Sequence, residues 1–351
     1  LWIAIAIIYT YIIFSFIWTP DKTQGVKEIF YYFVHLLIFI EMIVFAKKAN
    51  FPLLSISRGW LTAVIVCSIV AMWEFTTGNH LAIAVEHRSV MNTGSEIIER
   101  FTASVTFGNY NSYVTFLCYS FPWIFYLITN HNIHTFERLL ATLTIIILSL
   151  TILINASRGG FLTILSMLGV YYFYSPKKSF NNIILISALC ILCYALVTYG
   201  GTLIAVFAAR TSDGGLFSDQ SRFTIWTNAL NAFYATWGIG VGTGGINAAM
   251  SKFAHGGITV THNLFLEILV QYGIFITLLI VTFIYKLLKK YITIHNLIYA
   301  ILMALITMPL YAIIDSLYLL KPHLYVLIGT IYIFANYEYI RYDSSTIRQT
   351  A

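Results

Sequence analysis

Thr261-His262-Asn263-Leu264-Phe265-Leu266-Glu267-Ile268-Leu269-Val270-Gln271-Tyr272-Gly273-Ile274-Phe275-Ile276-Thr277-Leu278-Leu279-Ile280-Val281-Thr282-Phe283-Ile284-Tyr285-Lys286 is the stretch that decides the fold. Between His262 and Lys286 it carries a single carboxylate, Glu267, in a run long enough to cross a hydrocarbon core. A crossing takes about 20 mainly apolar residues. The rest of the chain reads the same way. Of 351 residues, 59% are hydrophobic, 17% aromatic and only 10% charged, and the mean hydropathy is +0.80. Ordinary soluble domains are about 45–50% apolar and about 25% charged. A soluble core cannot hide this much apolar surface, which excludes a soluble enzyme, a disulfide scaffold, a fibre and a disordered tail. The solvent for most of the chain is a bilayer.

Working outward, apolar runs fall at 1–18, 29–46, 60–76, 110–129, 139–155, 159–174, 182–207, 262–285, 294–314 and 323–340. They predict an all-α polytopic membrane protein of about ten transmembrane helices,. Residues 1–351 read as a single integral-membrane domain, and the chain starts at Leu1 inside an apolar run, as a trimmed N-terminus would. Two connections are long: 77–109, and 208–261, which is rich in Gly and Trp. Alternate short connections and the tail hold eleven of the twenty Lys and Arg residues (Lys47, Lys48, Arg58, Arg138, Lys177, Lys178, Lys286, Lys289, Lys290, Arg341 and Arg348). Positive charge marks the cytoplasmic side. Both termini are therefore expected there, and both long loops outside. The net charge of +6 is too thinly spread for nucleic acid,.

Few residues remain that could carry chemistry. Arg158, in Asn155-Ala156-Ser157-Arg158-Gly159-Gly160, falls at the external mouth of two apolar runs. A charge at such a depth points to a site, and a guanidinium can hold phosphate bidentately; a snorkelling arginine is the bland alternative. Phe223, Trp226, Leu230 and Phe233 space an amphipathic helix with Ser218 or Asp219 as its cap and Arg222 in its first turn,. There the dipole disfavours a cation unless an anion accompanies it. Arg210 is a weaker case of the same kind.

Gly240, Gly242 and Gly245 match a dinucleotide fingerprint by letter, but no strand precedes them,. A turn presenting backbone N–H groups to phosphate and a simple close-packed turn both remain open. His262 stands at a helix start, where the dipole favours a neutral, proton-accepting ring. Glu267 and Gln271 share one helical face, and a carboxylate so placed must pair, with Arg158 or Arg222 as candidates,. His80, His87 and Glu86 share a loop without zinc-ligand spacing, so no metal site is expected,. Cys190 and Cys193 read as two packed thiols rather than a redox pair,.

Taken in order, Gly108-Asn109-Tyr110-Asn111, Ser157-Arg158-Gly159, Arg222 with Trp226, Gly240-Val241-Gly242, and His262-Asn263 with Glu267 and Gly273 resemble the bacterial O-antigen ligase and polysaccharide polymerase superfamily over about residues 100–290. The resemblance implies a membrane fold of the glycosyltransferase C type, with a large external loop of short helices over a lipid-facing cavity. It implies transfer of a glycan from a polyprenyl diphosphate carrier to a hydroxyl of an acceptor glycan or glycolipid, on the periplasmic side of the cytoplasmic membrane, without metal, cofactor or nucleotide sugar. Arg158 and Arg222 would bind the diphosphate and stabilise the leaving group, and His262 would take the acceptor's proton. Arg210, Asn263, Glu267, Gly240 and Gly242 are the accompanying candidates for substrate binding. The competing reading is a transporter or flippase for a lipid-linked or anionic substrate.

Overall fold

The computed structural model describes residues 2–83, 89–92, 97–100, 102–130, 133–155, 157–174, 217–254, 257–292 and 299–336. In chain order the helices are α1 (Trp2–Ser15), α2 (Lys22–Lys48), α3 (Pro52–Thr77), α4 (Tyr110–Thr129), α5 (Thr135–Ile154), α6 (Arg158–Tyr174), α7 (Phe217–Tyr234), α8 (Ile246–Ala254), α9 (Leu264–Ile292), α10 (Tyr299–Ile306), α11 (Met308–Tyr311) and α12 (Pro322–Ala335), with a 3₁₀ turn at Tyr318–Leu320 before α12. Among the described residues, five helices are long and apolar enough to cross a membrane: 22–48, 52–77, 110–129, 135–154 and 264–289. The chain is an all-α polytopic membrane protein. The run 182–207, the Cys190–Cys193 pair and Arg210 lie outside the described residues.

Two expectations change. The run 294–314 is not one helix: Thr307 separates α10 from α11, where Pro309, which has no N–H to donate, occupies the first turn of the second piece,. The polar loop 77–109 carries a short antiparallel hairpin, β1 (Ser89–Asn92) with β2 (Ile97–Arg100), in register Ser89↔Arg100. The chain divides into two compact units. Each is assembled from discontinuous segments, so no linker marks a boundary in the sequence.

The larger unit (46–218, 291–314 and 333–351) is arranged about α4. Every residue of α4 from Ser112 to Ile128 is buried, as expected of a helix apolar all round. It contacts α3, α5, α6 and α10. Asn109 caps it, its Oδ1 accepting from the Ser112 N–H at 2.8 Å,. The segment before the cap is pinned by two buried side chains. Glu74 Oε2 accepts from the N–H groups of Ser104 (2.7 Å) and Val105 (2.9 Å). Asn155 exchanges two hydrogen bonds with the Ala103 backbone. α3, α5 and α6 turn large apolar side chains outward, among them Ile69, Phe136, Leu139 and Phe173, as lipid contact requires.

The smaller unit (1–45, 219–290 and 315–332) is organised by a break in α9. At Gly273 the backbone leaves helical geometry (φ 76, ψ −177), a conformation essentially confined to glycine. In an unbroken helix Ile274 N–H would bond to the Val270 carbonyl; it bonds instead to Gly238 O at 3.0 Å. The carbonyls of Val270 and Gln271 accept from Val241 N–H (2.8 Å) and Gly242 N–H (3.0 Å). The segment 238–242 thus mends the break from outside the helix. Trp18 Nε1 and Tyr11 Oη donate in turn to the carbonyls of Gly240 (3.0 Å) and Ile239 (2.7 Å), fastening α1 and the turn after it to the same segment. Against it lies a small core of Ile225, Ala229, Ala232, Val241, Ile246, Met250 and Val270.

A methyl group at Gly273 would overlap the Ile239 carbonyl. Gly273→Ala is expected to lower stability by more than the about 1–3 kcal/mol that such a backbone costs a non-glycine residue. Gly169→Ala in α6, where an added Cβ meets nothing within 4 Å, is expected to be neutral or stabilising. Thermal unfolding of the two variants in detergent checks both outcomes.

Candidate active site around His262

α7 turns a narrow face inward. Ile225, Ala229 and Ala232 are buried, with Trp226 and Phe233 packed beside them, whereas Phe223 is 70% exposed and contributes nothing to the core. The amphipathic stripe therefore lies one position round from the one the sequence suggests, because two alanines rather than Phe223 allow close approach. Arg222 sits in the second turn of α7, not the first, since the helix starts at Phe217; of the cap candidates Ser218 and Asp219, the side chains lie outside the described residues. Arg222 shares a helical face with Trp226. The Trp226 indole donates from Nε1 to the Thr261 carbonyl at 3.1 Å, tying this face to the residue before His262.

His262 precedes α9 in a left-handed backbone conformation (φ 47), uncommon for a side-chain-bearing residue and a marker of functional sites. Asn263 supplies the reason the helix begins where it does: its Oδ1 accepts from the N–H groups of Phe265 (2.9 Å) and Leu266 (3.2 Å),. Asn263 is thus the N-cap of α9 and sets the position of its neighbour. The His262 ring is half-buried. Burial, and after it the Arg222 guanidinium, push its pKa below the ordinary value of 6.5, with Lys321 adding to the effect and Asp315 opposing it. The downward direction is the one the helix dipole also favours, with desolvation and Arg222 as the larger causes.

Several expectations about the neighbours give way to packing roles. Glu267 does not pair with an arginine: its two carboxylate oxygens accept from the backbone N–H groups of Tyr318 (2.9 Å) and Leu319 (3.0 Å), capping the 3₁₀ turn. Gly240 and Gly242 present no amides to a phosphate. Each N–H from Gly238 to Gly245 is spent inside the protein, that of Thr243 on Ser15 Oγ and that of Gly244 on Glu28 Oε2. Their left-handed φ values of 97 and 84 serve close approach: a Cβ on Gly240 would come within 2.5 Å of Gly273 N. Arg158 is the first residue of α6 and exposed; it belongs to the larger unit, while Arg222 and His262 belong to the smaller. His80 lies with Nδ1 3.4 Å from the buried Glu74 carboxylate.

Three charged residues escaped the sequence reading. Glu28 is buried in α2, where it accepts from Gln271 Nε2, Tyr32 Oη (3.2 Å) and Gly244 N–H (2.9 Å). It shares a small cleft with Glu267 and Gln271. The apolar run begins at residue 29, one position past it; a carboxylate at the edge of a span is the available signal,. Asp315 and Lys321, in the short connection before α12, form an ion pair in which the Asp315 side chain is 1% exposed. Only the charges acting on His262 mark them, and those arise in the fold.

Comparison with known proteins bears on the same region. Residues 143–281, which contain Arg158, Arg222 and His262, match a family described as O-antigen ligase. Over 282 residues the chain is 24% identical to the teichuronic acid biosynthesis protein TuaE of Bacillus subtilis (strain 168), an alignment covering 77% of this chain and 56% of that protein. The chain thus spans little more than half the length of this relative. The family match and the relative together support a likeness of this membrane protein to the O-antigen ligase-like superfamily.

Proposed function

We propose that the chain is a membrane glycosyltransferase of surface-polysaccharide assembly, moving a glycan from a polyprenyl diphosphate carrier to an acceptor hydroxyl on a glycan or glycolipid. The reaction would run at the outer side of the bacterial cytoplasmic membrane, with both termini on the inner side. The observation that carries the reading is the half-buried His262, which follows the Thr261 carbonyl bonded by Trp226 one turn from Arg222, within the segment that matches the O-antigen ligase family; burial and the Arg222 charge lower its pKa. A neutral imidazole is what a general base needs near neutral pH.

In the proposed step the acceptor oxygen attacks the anomeric carbon as His262 takes its proton. A new C–O bond forms, and the bond to the carrier's diphosphate breaks with its electron pair on the departing oxygen. Arg222 and Arg158 are the guanidiniums proposed to receive that charge. The sugar arrives already activated by its diphosphate, so the step needs neither metal nor cofactor. The transporter reading draws support from the broken α9, since discontinuous spans form transporter sites. Here, however, the Val270 and Gln271 carbonyls and the Ile274 amide at the break are bonded to the segment 238–242, which favours a structural break.

His262→Ala is expected to cut transfer about 10²–10⁴-fold, and Arg222→Ala or Arg158→Ala about 10²–10³-fold each, while the proteins still insert and melt normally. The assay is reconstitution with a polyprenyl-diphosphate oligosaccharide and an acceptor; full activity in all three variants would overturn the reading, and translocation without bond cleavage would favour the transporter. Transfer is expected to survive EDTA. The rate should fall on acidification, as His262 becomes protonated, with the acid limb below the ordinary histidine pKa of about 6.5. Arg222→Gln removes a neighbouring positive charge, so the residual activity should show that limb moved to higher pH.

A further inference from the structure

We propose that Lys321, held by Asp315, is a further anion-binding residue for the donor's diphosphate, and that Glu267 is the positioning residue that seats this pair beside His262. The proposal rests on the transfer reading above. Its basis is the path of the chain. His262 and Glu267 are five residues apart across the start of α9. From there Glu267 reaches the backbone N–H groups of Tyr318 and Leu319, which fixes the 3₁₀ turn against the helix start. Leu317, just before the turn, is held in a left-handed conformation (φ 54). Asp315 N–H donates to Tyr318 Oη at 2.7 Å, closing the segment on itself. Lys321 follows the turn directly and is ion-paired to Asp315, with 17% of its side chain still exposed.

Charge complements this geometry. Hydrogen bonds bring these groups to the start of α9: Trp226, one turn from Arg222 on α7, donates to Thr261 before His262, and Glu267 holds the turn that precedes Lys321. The charges of Arg222, Asp315 and Lys321 bear on the ring. Asp315 neutralises Lys321 within their ion pair, and Arg222 is the second cation brought to this end of α9. A departing diphosphate needs such a setting. Asp315, almost wholly buried, fixes the ammonium, because a lysine on four rotatable bonds is otherwise poorly placed. The carboxylate of Glu267 is bonded to backbone amides, so its role is exerted through the turn and not on the donor.

The test uses the full chain in nanodiscs, titrated with polyprenyl diphosphate lacking a glycan and, separately, with polyprenyl monophosphate. Lys321→Met is expected to weaken diphosphate binding about tenfold or more, the loss of one charge-assisted hydrogen bond. Lys321→Arg should restore most of it, and the monophosphate should be affected less. Lys321→Gln, its melting followed alongside, gives the answer should Lys321→Met fail to fold. Unchanged diphosphate binding in both neutral variants overturns the proposal while leaving the transfer reading intact. His262→Ala, which should bind the carrier yet fail to transfer, tests that reading by itself. The acid limb of transfer supplies a second readout. Lys321→Met removes a positive charge and should move the limb to higher pH; Asp315→Asn removes a negative one and should move it lower. Limbs that stay put, or that move together, overturn the placement of the pair beside His262.

Discussion

The smaller unit depends on the repair of a broken helix. α9 is long and apolar enough to span a bilayer, and a bilayer offers no water to a backbone group that loses its partner. Each unsatisfied group there costs several kcal/mol. At Gly273 the helical ladder is interrupted, and the segment 238–242 donates and accepts in its place. That requirement explains the density of glycine in this stretch. Gly238, Gly240, Gly242, Gly244 and Gly273 all have positive φ, and side chains on Gly240 or Gly273 would strike the backbone of the other strand of the repair. Once the segment is laid against α9, Trp18 and Tyr11 join it, and α7 is carried to the start of the helix by Trp226.

His262 takes its character from that arrangement. Its position is set by the Asn263 cap, and its surroundings by α7, tied to Thr261 through Trp226, and by the turn that Glu267 holds. Polar side chains are used to hold backbone in place. Asn263 caps α9, Asn109 caps α4, Glu74 and Asn155 pin 103–105, and Glu267 caps a 3₁₀ turn. In a chain with 10% charged residues, surrounded by lipid, these side chains are the local substitute for water at helix ends.

The spans at 110–129 and 262–285 were legible because a long apolar run has one stable outcome in a bilayer, a helix that satisfies its own backbone. His262 and Arg222 were legible because charges are scarce. Glu267 was legible as unusual and misread as an arginine partner: nothing in the local sequence reveals that the amides of Tyr318 and Leu319, 51 and 52 residues away, come to it. The glycines 240 and 242 were equally visible and equally ambiguous, since a turn that offers its amides and a turn that spends them are spelled alike.

The sequence by itself determined the solvent, the helical class and the small set of residues able to do chemistry, since each of these follows from composition and from the cost of placing charge in hydrocarbon. Only the tertiary structure decided which of those residues are partners. It joined Glu28 to Gln271 and Gly244, Glu267 to the turn before α12, and Trp226, one turn from Arg222, to the residue before His262. These contacts span tens to hundreds of residues along the chain. The bonds across the break in α9 are fixed by which backbone groups it leaves to be satisfied, a demand that no local stretch of sequence states.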